Sequence, residues 1–140
     1  MVTFRRRRRV PASIRSVPAP PASEEAVAPG LDLVESRFAH LQQELSAALG
    51  DESLCAISRT AGPVPAAKHA EGRLAALMAL RRSLQRGERL ETSLTDQLDA
   101  WRRWLDDVTV REAGRDWQAY RAGGVDELEL LADRLVGSGA

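Results

Sequence analysis

The strongest chemical feature of the sequence is a run of five consecutive arginines, which comprises Arg5, Arg6, Arg7, Arg8 and Arg9. Five guanidinium groups on a flexible segment can follow the phosphates of a nucleic acid, and neutralising them gives a slope of log K against log salt of roughly −4.5 on duplex DNA. The same charges attract acidic protein surfaces and anionic lipids. The run therefore predicts contact with an anionic partner, and a solubilising tail that folds back on an acidic body is the alternative.

A second group of arginines lies in the middle of the chain. Arg82, Arg86 and Arg89 recur at helical spacing and form a candidate second basic stripe. A solvated helix face explains the same spacing. A helix-turn-helix centred on Gly87 fits poorly, because it places charged side chains where that motif packs apolar ones.

Three tryptophans, Trp101, Trp104 and Trp117, form a candidate protein interface. Trp101 and Trp104 enclose two arginines, a pattern that could also stack on nucleic-acid bases. Their spacing of three residues places both beside Leu98 and Leu105 on one helix face, which favours core or interface positions. Because tryptophan is enriched at binding hot spots, an exposed indole in this region indicates a protein partner.

Residues able to do catalytic or metal chemistry are sparse. Cys55 is the only cysteine, so the sequence supports neither an internal disulfide nor a cysteine zinc site. With His40 or His69 it forms the only candidate pair of nucleophile and base. An acidic group with no histidine near it comprises Asp106, Asp107, Glu112 and Asp116. The sequence contains no glycine-rich phosphate loop, nucleophile elbow or metal motif, so we predict a non-enzymatic protein without cofactor or metal.

Charge and proline divide the chain into an arm and a body. Residues 1–23 carry six arginines and no acid, so the rest of the chain carries 14 basic and 20 acidic residues. Five prolines and few large apolar residues predict that residues 1–30 form a disordered arm. No apolar run approaches the roughly 18 residues of a membrane span, so we expect a soluble, cytoplasmic protein. A cleaved transit peptide at residues 1–23 is an alternative, because this segment is rich in arginine and lacks acids.

The body, residues 31–137, has the composition of an all-α protein, with 29% charged and only 4% aromatic residues in the whole chain. We predict a single small bundle of three to five helices. Asp32 and Glu35 form a capping-box pattern at the start of the first helix. Residues 51–59 are interpreted as a short helix, and Pro65 suits the first position of the next one.

The stretch from Glu71 to Val110 allows two interpretations. Gly87 can end a helix in the left-handed conformation, and Ser93 can begin another, which predicts a hairpin of helices at residues 66–86 and 93–110. The alternative is one continuous coiled-coil helix of about 45 residues, roughly 67 Å long, because the heptad phase survives across Gly87. We predict the hairpin, since Gly87 and its hydroxyl-bearing neighbours would cost a continuous helix about 2–3 kcal/mol.

Helical spacing continues beyond the hairpin through Ala113, Trp117 and Tyr120. We predict that Gly123 and Gly124 end this helix. A final helix then begins at a second capping signal, which comprises Asp126 as cap, Glu129 at the third position, and Val125 facing Leu130 as a hydrophobic staple.

These features favour a binding function. We expect an interaction or assembly protein, an accessory or structural subunit of a larger complex, that contacts a protein partner or a second copy of itself. The arm would contact an acidic partner or nucleic acid. The alternative is a nucleic-acid-binding regulatory protein that uses the arm together with Arg82, Arg86 and Arg89. The sequence leaves the identity of the partner and the oligomeric state open.

Overall fold

The computed structural model describes residues 24–49 and 65–138, which form four α-helices. They are α1 (Glu24–Leu49), α2 (Pro65–Gln85), α3 (Leu90–Val110) and α4 (Arg115–Ser138). No strand occurs within these two ranges, so the predicted all-α bundle is confirmed.

Several sequence predictions fall on residues outside these two ranges. The arginine run, proposed to contact an anionic partner, lies there in full, and so do Cys55 and the short helix predicted at residues 51–59. The structure therefore places none of the five arginines Arg5, Arg6, Arg7, Arg8 and Arg9. Their contact with an anionic partner stays a prediction from the sequence.

The central helix of the bundle is α2, which packs against each of the other three. Its Leu77, Leu80 and Leu84 recur at intervals of three and four residues and are fully buried. They belong to one core with Val34 and Leu41 of α1, Leu94, Leu98 and Trp101 of α3, and Val125, Leu128 and Leu131 of α4. Burying each leucine side chain contributes about 1.5–3 kcal/mol, so this periodic face of α2 holds the bundle together.

The first helix begins at Glu24, inside the segment predicted to be a disordered arm. The predicted boundary at residue 30 is therefore wrong, as is the capping role of Asp32, which lies inside α1. Tertiary packing explains the extension through Pro29, because the buried Gly30 faces α3 so closely that an added Cβ would lie 3.2 Å from Leu90 Cβ.

Ion pairs show that α1 runs antiparallel to α2. Glu35, in the first half of α1, pairs with Arg81, near the end of α2. Further along, Glu44 Oε2 lies 3.6 Å from Arg73 Nη2. Glu35 therefore serves a contact between helices instead of the predicted capping box.

The predicted hairpin between α2 and α3 is confirmed. Gly87 has φ +86°, and the amide of Glu88 donates to the carbonyl of Ser83 at 3.2 Å while the amide of Gly87 donates to Leu84 at 2.9 Å. These two bonds form a Schellman motif, which a left-handed glycine accommodates without a steric penalty. The predicted start at Ser93 is wrong by three residues: Ser93 is buried inside α3, and its hydroxyl donates to Glu88 Oε2 at 3.1 Å.

A second Schellman motif ends α3. The amide of Ala113 donates to the carbonyl of Val108 at 2.9 Å, and the amide of Glu112 donates to Thr109 at 3.1 Å. Glu112 adopts φ 52°, a left-handed conformation that costs a residue with a side chain roughly 1–2 kcal/mol. The helical spacing that continues through Ala113 in the sequence is thus interrupted by a turn.

The last helix, α4, continues through Gly123 and Gly124. The prediction that these glycines end a helix, and that Asp126 caps a new one, is wrong. The predicted staple is also wrong, because Val125 is buried whereas Leu130 is 38% exposed.

Close packing explains the adjacent pair of glycines, Gly123 and Gly124, in α4. Ideal Cβ atoms, built on three glycines, would come far inside the 3.0 Å limit that real Cβ atoms keep. An added Cβ would lie 2.0 Å from the carbonyl oxygen of His69 at Gly123 and 1.9 Å from the carbonyl oxygen of Tyr120 at Gly72. At Gly124 it would lie 2.1 Å from Cε3 of Trp101. The backbones of α2 and α4 therefore touch where they cross, and Trp101 of α3 packs directly on the backbone of α4.

Candidate functional site

Side chains from the second half of α3 and the first half of α4 form a continuous aromatic surface, defined here as Trp104, Trp117, Tyr120 and Arg121. The rings of Trp117 and Tyr120 contact edge to face, with centroids 6.0 Å apart. The Arg121 guanidinium carbon lies 5.4 Å from the Tyr120 ring centroid and 4.7 Å from that of Trp104. Trp117 is 60% exposed and Trp104 is 44% exposed, so two indoles present apolar area to solvent.

Trp101 supports this surface from the core. Its ring lies 5.5 Å from Trp104 in an edge contact and 5.5 Å from Tyr120 in a tilted one. Only 3% of Trp101 is exposed, because the missing side chain of Gly124 leaves room for its indole against α4. Of the two positions that the helical spacing allows, core or interface, Trp101 occupies the core, where it positions the two aromatic rings above it.

Arg121 is held in place by rings instead of by carboxylates. Its guanidinium faces three aromatic rings, at 5.4 Å from Trp101 and Tyr120 and 4.7 Å from Trp104. Such cation–π contacts contribute on the order of 0.5–2 kcal/mol each, depending on exposure. Two buried nitrogens here, Arg121 Nε and Trp101 Nε1, have no hydrogen-bond partner among the described residues.

A cleft of about 400 Å³ adjoins the aromatic surface, between the start of α2 and the start of α4. Trp117 and Tyr120 form its aromatic wall, and Lys68, Glu71, Gly114 and Asp116 complete the lining. Lys68 Nζ lies 2.7 Å from Glu71 Oε2, one turn away on α2. The cleft thus combines apolar ring faces with a rim of both charge signs, a composition that suits a side chain or a short segment of another protein.

A second groove of similar volume lies at the opposite end of the bundle. It is lined by Pro29, Gly30, Leu33, Arg89, Leu90, Glu91 and Leu135. None of these lining residues is aromatic, whereas the exposed indole of Trp117 and the ring of Tyr120 line the first cleft. The aromatic surface is therefore the stronger candidate for a site.

The predicted second basic stripe does not form one helical stripe. Arg82 lies in the last turn of α2, Arg86 in the turn that follows, and Arg89 immediately before α3. Arg86 Nη2 lies 2.9 Å from Glu88 Oε1, and this hydrogen bond holds the pKa of Glu88 below its ordinary value. All three arginines are exposed, but the break at Gly87 separates Arg89 from the other two, and Glu88 neutralises Arg86.

A buried ionic network, which the sequence analysis missed, joins α1, α2 and α4. Glu127, only 1% exposed, accepts hydrogen bonds from Arg37, itself 4% exposed, and from Arg73 Nε at 2.8 Å. The hydrogen bond to Glu127 raises the pKa of Arg37, although burial opposes the shift. The sequence does contain a signal for this network, because Arg37 lies three residues after Val34 and four before Leu41, which is the spacing of a buried helix face. That spacing marks a charge that must be paired inside the protein.

The remaining candidates for chemistry do not converge. His40 Nε2 pairs with Glu44 at 3.1 Å, and His69 Nε2 lies 2.7 Å from Asp126 Oδ2 on α4. Among the side chains that the structure describes, in residues 29–47 and 65–138, no three from histidine, cysteine, aspartate or glutamate lie together as metal ligands would. None of the helices in these ranges has the length and apolarity needed to cross a membrane.

Comparison of the chain with protein-family models, with curated proteins and with solved structures found no match in any of the three.

Proposed function

We propose that this chain is a non-enzymatic interaction or assembly protein, an accessory or structural subunit of a larger complex, which binds a protein partner through its aromatic surface. The observation that carries the proposal is the exposure of two indoles, Trp104 at 44% and Trp117 at 60%, on one contiguous surface beside a cleft. Tryptophan, tyrosine and arginine are the residues most enriched at binding hot spots, and all three occur here.

The fold supports the proposal because the surface is rigid and already assembled. Trp104 and Tyr120 are fixed by contact with the buried Trp101, and the Arg121 side chain is fixed by the rings around it. A preformed surface loses little side-chain entropy on binding, so more of the contact energy appears as affinity. Truncating a central indole of this kind should cost about 2 kcal/mol or more, which is roughly a thirtyfold weaker Kd.

The arginine run at residues 5–9 has a secondary role in this proposal. A cationic segment increases the association rate with an acidic partner and makes that rate dependent on salt. The nucleic-acid alternative remains a prediction that rests mainly on this segment, because the arginines at 82, 86 and 89 do not lie along one helix.

The proposal is tested by co-purification from the native host with the full chain. The test variant is Trp104→Ala/Trp117→Ala, and the matched control is Met78→Ala, because Met78 is 44% exposed on α2, outside the aromatic surface. Circular dichroism confirms that each variant is folded. We expect a protein that co-purifies with wild type and with Met78→Ala, resists high salt, and is lost from the double variant. Identical sets of proteins with all three baits would contradict the proposal.

A further inference from the structure

Arg121 differs in its partners from the other buried or half-buried arginines of the described helices. Four arginines there are buried or half-buried, and three of them pair with carboxylates: Arg37 with Glu127, Arg73 with Glu127 and Glu44, and Arg81 with Glu35. Arg121 forms no ion pair with any side chain that the structure describes, in residues 29–47 and 65–138. The fold therefore neutralises three of these cations and leaves the fourth without an anion from the described helices.

The aromatic rings around Arg121 fix its guanidinium group but leave its N–H donors without acceptors from the described residues. Its guanidinium is packed against three rings, which attract the cation but accept none of its N–H bonds in the plane. A planar guanidinium held by stacking is preoriented for a two-point contact with a carboxylate, and charge-assisted hydrogen bonds of this kind are among the strongest in proteins. An anion on a partner would accept these N–H bonds.

We infer that the partner of the aromatic surface presents an aspartate or glutamate to Arg121, flanked by an apolar side chain that packs on Trp104 or Trp117. This inference rests on the proposed function and specifies the chemistry of its partner. The arginine run at residues 5–9 favours the same kind of partner, because an acidic segment attracts both groups of positive charge.

A protein carboxylate fits this surface better than a nucleic-acid phosphate. The lining of the cleft beside the aromatic surface carries two carboxylates, Glu71 and Asp116, and one cation, Lys68, which pairs with Glu71. A continuous phosphate backbone laid across Trp117 would meet a lining with more carboxylates than cations, and repulsion between like charges disfavours that arrangement. A single carboxylate between apolar side chains brings one negative charge to Arg121 instead of the series of charges that a phosphate backbone carries.

Random linear peptides are selected on the full chain, and their affinity is measured by fluorescence anisotropy. The selected peptides are then assayed against Arg121→Gln, with Arg102→Gln as the matched control. Arg102 is an exposed arginine on the neighbouring helix whose Nη2 already lies 2.9 Å from Glu129 Oε1. Arg121→Lys, which keeps the charge and loses the planar stacking, provides a second variant if the glutamine variant does not fold.

We expect the selected peptides to contain an acidic residue next to an apolar one. Replacing that acid by its amide should weaken binding to wild type and to Arg102→Gln about tenfold, and should leave binding to Arg121→Gln unchanged. With Arg121→Lys the acid should contribute less than with wild type.

Failure of the inference and failure of the proposed function give different results. Peptides that need Trp117 but show no preference for an acid overturn the inference and leave the proposed function intact. Peptides that bind equally well to Trp104→Ala/Trp117→Ala, or a selection that yields none, count against both. A single-stranded oligonucleotide whose binding is lost on Arg121→Gln would overturn the choice of a carboxylate over a phosphate.

Discussion

Substituting Gly123 by alanine tests the close crossing of α2 and α4. A Cβ at this position would lie 2.0 Å from the carbonyl oxygen of His69, whereas ordinary contact begins at 3.4 Å, so the two backbones must separate by about 1.4 Å. A backbone oxygen cannot rotate away as a side chain can. Overpacking of this kind costs about 1–3 kcal/mol, and the gain in helix propensity from glycine to alanine returns only about 0.5–1 kcal/mol. Because the overlap is with backbone, we expect the upper end of that cost and a net loss of about 2 kcal/mol.

The control for this substitution lies in the same helix. A Cβ on Gly137 of α4 has nothing within 4 Å, so Gly137→Ala gains helix propensity without overlap and should leave stability unchanged or raise it by up to about 1 kcal/mol. Urea unfolding followed by far-ultraviolet circular dichroism gives both free energies of unfolding. Equal stability of Gly123→Ala and Gly137→Ala would refute the reasoning, since α2 and α4 would then not be in backbone contact.

Three further predictions concern turns, buried charge and pH. Glu112→Gly should stabilise the protein by about 1 kcal/mol, because glycine removes the steric cost of the left-handed conformation at this position. Gly87→Ala should destabilise the protein by a similar amount, because alanine introduces that cost at a left-handed position. Thermal melts would show opposite shifts for the two variants. Glu127→Gln should cost about 3–5 kcal/mol in urea unfolding, because it leaves a buried and a half-buried arginine without their shared carboxylate, and a loss below about 1 kcal/mol would contradict this. Because folding lowers the pKa of Glu88, the ionised carboxylate stabilises the fold at pH values above the ordinary glutamate pKa of 4.5. This stabilisation is lost as the pH falls through the lower pKa that Glu88 has in the folded protein. Compared with Glu88→Gln, the wild type should therefore lose more stability on acidification, and parallel pH profiles would contradict the assignment.

The cap at Gly87 could be predicted from the sequence because it depends on neighbouring residues alone. Gly87 follows the end of α2, which has Arg82 in its last turn, and precedes a polar stretch, and it is a left-handed cap as predicted. Gly123 looked similar in the sequence, but its role depends on His69 in another helix. Glycine favours both a helix end and a close helix crossing, so sequence alone does not distinguish them without knowledge of the packing.

The candidate site was likewise predicted only in part, because some of its features depend on how the helices pack. Trp104 and Trp117 were predicted as interface residues and are exposed, whereas Trp101, assigned the same role, is 3% exposed. Helical spacing placed Trp101 and Trp104 on one side of α3 but could not determine which of them α4 covers. Arg121 was missed because its importance comes from the three rings around it and from the absence of an acidic partner among the described residues. Both properties exist only after α3 and α4 are packed together.

Photo-crosslinking in the native host tests the central claim, that the aromatic surface binds a protein partner, most directly. A photoreactive phenylalanine analogue replaces Trp117 in the full chain, and a control chain carries it at position 78, where Met78 is 44% exposed outside the aromatic surface. We predict one dominant protein adduct from position 117 that is absent from position 78 and is lost when Trp104→Ala is added. Equal adducts from both positions, or none from position 117, would contradict the claim.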